Sequence, residues 1–233
     1  MSDNQVNDSH LKDSRGSDNK GTKLALLLIP LMVFMVLVVF LLIGLFSDPR
    51  DRESVTVNRT IPEFTRYDLM DSNKKWQNTD LVGEVMLINV WGTWCITCDQ
   101  ELPFLTELRG RGIKIVGIYY DQEIDPDFGD TFDIVSLRKD VSAKLARLGN
   151  PYQYNIFDDT RELLLDLGVT GAPETFLVDH KGIIRIHHLG DINPRVWQDK
   201  FASLYEQLKA EAAQAGASSA SISSAGANTG AVE

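Results

Sequence analysis

A short, nearly continuous apolar run, Gly83 to Trp91 (GEVMLINVW), breaks at Gly92-Thr93-Trp94 and passes straight into Cys95-Ile96-Thr97-Cys98. No other stretch narrows the choice of folds as much. A run of that length and character fits a strand covered on both faces of a sheet. Cys98, Leu102, Leu105 and Leu108 then recur at helical spacing until Gly110 and Gly112 end the segment, with Pro103 a kink inside it. GIKIVGIYY, residues 112–120, reads as a second buried strand. Strand, helix and strand joined by a short return form a right-handed βαβ unit with parallel strands.

The stretch from Asp121 to Asn150 is acidic at first, then carries VSAKLARL, whose Val141, Leu145 and Leu148 share a helix face; it reads as an inserted segment. A helix is expected from about Thr160 to Leu167, stopped by Gly168. TFLVD and GIIRIHHL, joined through His180 and Lys181, form an antiparallel hairpin. Asn193 and Pro194 offer a cap and a first-turn residue for a last helix, in which Trp197, Phe201, Leu204 and Leu208 make one apolar stripe. A βαβ unit followed by ββα is the order of the thioredoxin fold. The expected class is therefore α/β, a central mixed sheet flanked by helices.

The ends are different. The uncharged run Leu24 to Phe46 is long enough as a helix to cross a bilayer, and no small-x-small cleavage site follows it at Ser47 and Asp48. The expectation is one N-terminal transmembrane helix over 24–46, in a single-pass bacterial inner-membrane protein. Lys12, Arg15, Lys20 and Lys23 before the run are nearly balanced by Arg50, Arg52 and Arg59 after it. Orientation therefore comes from the dithiol, which suits an oxidising compartment and puts the C-terminal domain in the periplasm. Residues 1–23 are polar and read as a disordered cytoplasmic tail, 47–59 as a linker, 60–210 as the folded domain with its insert at about 121–150, and 211–233 as a disordered low-complexity tail. A net charge of -10 argues against nucleic acid as a partner.

A Cys-x-x-Cys at the junction of strand and helix puts Cys95 at the helix start and Cys98 one turn inward. Unpaired N–H groups and the positive end of the helix dipole favour a thiolate at Cys95, the expected nucleophile, with Cys98 resolving the mixed disulfide. Neither His nor Lys lies between the cysteines to stabilise the thiolate further, which points to a reductant rather than an oxidant. Three plainer readings compete: a static structural disulfide, a zinc site completed by His187 and His188, and two inert buried thiols.

A second constellation is GVTGAPETF, residues 168–176. Ala172-Pro173 just before a strand is a place where a cis peptide is tolerated, leaving neighbouring backbone groups for an extended peptide; the alternative is an ordinary loop proline. Glu174 either tunes the thiols or solvates a loop, and Glu101 either accepts the proton of Cys98 or is an exposed helix residue. Trp94 shapes a substrate groove while Trp91 is core. One of His187 and His188, adjacent on a strand, is expected to face outward in a structural role.

The runs LINVWGTWCITC, GIKIVGIYYD, LGNPY, FDD, LGVTGAPETFLVD and GIIRIHHLGDINPRVW together resemble the CcmG/DsbE family, thioredoxin-like reductases of cytochrome c maturation, across residues 60–205. The resemblance implies that Cys95 and Cys98 are a redox-active disulfide needing no cofactor or metal, that Pro173 is a cis-proline facing them, and that Glu174 belongs to an acidic active site. It implies apocytochrome c, or a cytochrome-assembly thiol protein, as substrate and a membrane thiol transporter of the DsbD/CcdA kind as electron donor. A general disulfide oxidant or isomerase, and a non-catalytic peptide-binding module, remain the alternatives. Two departures from the family pattern stand out. Ile96-Thr97 replaces the common Pro-Thr, which bears on the redox potential, and Asp121–Asn150 is longer than usual, which bears on partner choice.

Overall fold

The computed structural model describes the backbone of residues 20–46, 56–122 and 133–226, and the side chains of 28–43, 56–122 and 133–217. The expected tail over 1–19, linker over 47–55, start of the insert at 123–132 and chain end at 227–233 lie outside the described residues. The chain divides into two units at Asp51–Arg52.

The first unit contains one helix, α1 (Lys20–Phe46), with Pro30 inside it. The expected single-pass inner-membrane anchor with a periplasmic domain is corrected here: among the described residues, no helix is long and apolar enough to cross a membrane.

The second unit begins with a small ribbon of β1 (Thr65–Tyr67) and β2 (Lys75–Gln77), paired antiparallel. Then come β3 (Met86–Trp91), α2 (Ile96–Gly110), β4 (Lys114–Tyr119), α3 (Ile134–Leu148), β5 (Asn155–Phe157), α4 (Glu162–Asp166), β6 (Glu174–Val178) and β7 (Ile184–Leu189). The chain closes with α5 (Pro194–Val196), a π-helical turn (Trp197–Phe201) and α6 (Ala202–Gly226), so helix extends into the stretch read as a low-complexity tail. Strand order in the main sheet is β5-β4-β3-β6-β7. The β3–β4 and β4–β5 pairs are parallel, and β3–β6 and β6–β7 are antiparallel. This is the thioredoxin-like α/β fold.

β3 lies at the centre of the sheet and every residue in it is buried. Its two-residue period sends Leu87 and Trp91 into the core beneath α2, α3 and α6, and Met86, Ile88 and Val90 into the core beneath α4. Leu102, Leu105 and Leu108 of α2 are fully buried in the first of these, each contributing about 1.5–3 kcal/mol by removal from water. Pro103 lies within α2 without interrupting it, and Gly112 ends the turn at φ +89°.

The segment read as an insert contains α3, the crossover from β4 to its parallel neighbour β5. Asp133 caps α3, accepting from the N–H groups of Val135 at 3.1 Å and Ser136 at 3.2 Å. Val141 and Leu145 enter the core, and Lys144 pairs with Asp99 in the first turn of α2. At the other end, Asn193 caps α5 as expected, accepting from Arg195 and Val196 N–H at 3.1 and 3.0 Å. Trp197, Phe201 and Leu208 are buried, joined by Tyr205, whereas Leu204 is only partly so.

Candidate active site

The end of β3 delivers the chain to the N-terminus of α2, where Cys95 is the cap residue with extended φ and ψ of -85° and 104°. Its Sγ accepts the backbone N–H of Cys98 at 3.1 Å. That is the position of a capping oxygen in an ordinary helix, filled here by sulfur. The two cysteines, the only two in the chain, are joined as a disulfide. Cys95 is 4 % exposed and Cys98 0 %, so the first cysteine is the one that meets the surface. Between them Ile96 is 80 % exposed.

Trp94 folds back against the strand end. Its indole N–H donates to the Tyr120 carbonyl at 3.0 Å, and its ring meets the edge of Tyr120. Gly92 makes this possible: a Cβ there would run into the indole of Trp94. Thr93 and Tyr119 share a hydroxyl–hydroxyl bond of 2.8 Å beside it.

Glu101 lies one helical turn beyond Cys98 on α2, on the same side of the helix. It is 1 % exposed, which removes the reading as an exposed helix residue. Burial pushes its pKa up to about 8, against the two hydrogen bonds that favour the carboxylate, and the nearby charge of Asp191 adds to the rise. Those bonds come from the Asn89 amide to Oε1 at 2.8 Å and the Ile192 N–H to Oε2 at 3.0 Å. Asn89 in turn donates to Thr175 Oγ1 at 3.0 Å and accepts the Tyr152 hydroxyl at 2.6 Å. Sequence reasoning missed Asn89, Tyr152, Thr175 and Ile192. Asn89 had a signal: an amide within an otherwise apolar, fully buried strand must find partners.

Across from α2, the Ala172–Pro173 peptide is cis, with Pro173 buried and Ala172 half-buried. The backbone around it is less available than expected. The Pro173 carbonyl accepts Gly190 N–H at 2.8 Å, and Glu174 Oε1 takes the N–H groups of Thr170 and Gly171 at 2.8 and 2.9 Å. Glu174 also accepts the Thr170 hydroxyl at 2.6 Å and bonds His187 Nε2 at 2.6 Å. It is buried, so it does not solvate a loop. Burial acts to raise its pKa, but the bonds from His187 and Thr170 outweigh this and hold the carboxyl below the ordinary range.

The expectation that one of the adjacent histidines faces outward is corrected. The His187 side chain is 2 % exposed and stacks on Phe176, and His188 is buried with its ring edge-on to Phe201. His187 bonds Glu174, and His188 Nε2 lies 3.4 Å from the Asp191 carbonyl. Among the described residues, no group of three or more His, Cys, Asp or Glu side chains is placed to hold a metal ion.

The Redoxin family profile matches residues 56–208, the whole sheet together with this disulfide. The thiol:disulfide interchange protein DsbE of Vibrio cholerae is 42 % identical over 194 residues, covering 78 % of this chain and 98 % of its own. The chain belongs to the DsbE family of thiol:disulfide interchange proteins, within the Redoxins. DsbE of Escherichia coli K12 is 39 % identical over 199 residues, covering 82 % of this chain and 100 % of its own, and DsbE of Pseudomonas aeruginosa 40 % over 190 residues, covering 80 % and 96 %. Among solved structures the chain is similar to a secreted thiol-disulfide isomerase from Corynebacterium glutamicum, with TM-score 0.49, 18 % identity, and coverage of 69 % of this chain and 96 % of that one. Like other DsbE proteins, it is a thiol:disulfide oxidoreductase, working through a cysteine pair.

Proposed function

We propose that this DsbE protein works as a reductant, passing two electrons from Cys95 and Cys98 to the disulfide of apocytochrome c, or of a thiol protein that assembles it. The observation that carries this reading is the unequal exposure of the two cysteine residues, 4 % against 0 %, at the mouth of a helix. In the reduced protein, Cys95 would be the thiolate, held by the Cys98 N–H and the dipole of α2. It attacks one sulfur of the client disulfide and forms a mixed disulfide, and the client's other sulfur leaves as a thiolate that takes up a proton. Cys98 then attacks the Cys95 sulfur, its proton passing to the second client sulfur as that leaves, with the protonated Glu101 carboxyl one turn away as the relay. One client disulfide becomes two thiols, and the Cys95–Cys98 bond forms.

Two features favour reduction over oxidation. No cation lies between the cysteines, and the burial of both residues disfavours a negative charge on sulfur. A thiolate that is stabilised less makes the dithiol form a stronger reductant. Trp94 and Ala172 are read as flanking walls of the client groove, with Pro173 at its floor and the backbone of Ala172 meeting an extended peptide. Glu174, saturated by donors from its own loop, is read as holding that loop rather than reacting. Recharging requires a dithiol donor; a membrane thiol transporter of the DsbD/CcdA kind supplies that chemistry.

The test is a trap. With Cys98→Ser, the mixed disulfide at Cys95 cannot resolve and accumulates in cells. Recovery of apocytochrome c or a cytochrome-assembly thiol protein on Cys95 supports the proposal. Failure to capture either one, or a reduction potential near about -120 mV, in the range of strong disulfide oxidants, overturns it.

A further inference from the structure

The edge of the sheet next to the proline loop carries a buried contact that the reaction above does not use. On β6, Glu174 and Phe176 share a face; on β7, His187 is paired in register with Phe176 and stands diagonal to Glu174. The His187 ring stacks on Phe176 with 4.2 Å between centroids and turns Nε2 to Glu174 Oε2 at 2.6 Å. Both side chains are nearly sealed, at 2 % and 3 % exposure. Its other nitrogen, Nδ1, lies 3.5 Å from the hydroxyl of Thr56, at the start of the domain. The second oxygen of Glu174 gathers Thr170 N–H, Thr170 Oγ1 and Gly171 N–H, the residues that lead into Ala172–Pro173.

A carboxylate held between a turn and a strand transmits position. Its three bonds to Thr170 and Gly171 set the shape of the loop, and its bond to His187 fixes where that shape sits over the sheet. We propose that His187 is a positioning residue for client binding, acting through Glu174 to hold the Thr170–Pro173 loop at the height needed for an extended peptide to dock beside Cys95. This rests on the reading of that loop as the docking platform. In this reading His187 acts through Glu174 and not on the client itself.

Removal of the imidazole therefore affects docking more than sulfur chemistry. The full-length protein and its His187→Leu and His187→Gln variants are compared on a synthetic peptide with an internal Cys-x-x-Cys disulfide, turned over with dithiothreitol as electron donor after subtraction of its direct rate, and on the reduction of the oxidised protein by dithiothreitol alone, a step that needs no groove. The amide exchange rates of Thr170 and Gly171 are measured in parallel. Leu removes the donor; Gln puts an N–H close to where Nε2 stood. We expect His187→Leu to raise KM for the peptide about tenfold with kcat and the dithiothreitol rate within about twofold, and to speed exchange at both amides. His187→Gln should return both readouts most of the way.

An unchanged KM with unchanged exchange, or parallel loss of peptide and dithiothreitol reactivity, overturns the proposal, as does failure of Gln to rescue. If His187→Leu does not fold, His187→Asn, whose amide is one methylene too short to reach Glu174, takes its place. Wild-type protein that reduces no peptide disulfide would count against the reductase reading instead, and the exchange rates would still judge the role of His187.

Discussion

Asn89 and Glu101, on β3 and α2, meet beneath the disulfide through one amide N–H at 2.8 Å, and that bond ties the acid of the site to the centre of the sheet. Asn89 reaches outward with its other atoms to Tyr152 and Thr175. The carboxyl is thus held by a fully buried polar group, with no cation among the causes that shift it. Stability and chemistry at this position both follow from that arrangement.

The folded protein keeps a proton on Glu101 up to a pKa of about 8, whereas the unfolded chain releases it near 4.5. Over that interval the folded state binds more protons, so this contribution to stability is fully present below pH 4.5 and is lost as pH rises through 8. Its size is on the order of 1.4 kcal/mol per unit of displacement, a few kcal/mol in all. Urea unfolding of the disulfide form across this range should show wild type losing stability with pH and Glu101→Gln losing much less. Parallel curves for the two proteins would contradict the assignment.

Asn89→Leu keeps the volume and strips the network. Tyr152 OH loses its acceptor, and Glu101 and Thr175 lose a donor, at a cost of about 2–4 kcal/mol. With one bond fewer to its carboxylate, Glu101 should titrate above its wild-type value, so the pH at which stability is lost moves upward. The same unfolding series measures both effects.

Gly92→Ala should displace Trp94. The added methyl meets the indole, and the shift costs about 1–3 kcal/mol while breaking the bond to the Tyr120 carbonyl. In a Trp94→Phe background the same substitution should cost less, because the larger ring is already gone. A double-mutant cycle of thermal unfolding tests this, and additivity would contradict it.

Ile96→Pro should stabilise the protein by about 0.4–1 kcal/mol. Ile96 is the first residue of α2, where a proline's fixed φ is suitable and no N–H is needed within the helix. Cys95 before it is already extended, as a residue preceding proline prefers. The isoleucine side chain is 80 % exposed and contributes little packing. Denaturant midpoints at matched redox state check the sign.

How far the amino-acid sequence disclosed this architecture depended on length and locality. β3 and β4 were legible because runs of six and five buried residues leave no other reading, and the β6–β7 hairpin because a short turn pins its partners together. β1, β2 and β5, three residues each, carry too little pattern to stand out. α3 was found as a helix but taken as an insert, since nothing local says that it returns the chain to a strand as short as β5. The cysteines, the proline and both glutamates lie in recognisable motifs, whereas the partners that hold the glutamates come from up to 91 positions away, as Ile192 does for Glu101. Alternation along β7 suggested an outward histidine; the sheet edge is covered there by the chain near Thr56 and by the last helix, so neither ring reaches solvent. The apolar run at the start is legible in composition alone, and among the described residues no helix is long and apolar enough to cross a membrane.

A reactive cysteine recessed until 4 % of it is exposed is a sieve as well as a reactant. Exchange requires three sulfurs nearly in line, so whatever approaches Cys95 must bring its own sulfur down a single narrow axis. A chain end or an unfolded loop can thread that approach, and a bridge sealed inside a finished globule cannot. The cap position of one residue thus sorts visitors by whether they have folded, before any side chain of theirs is read.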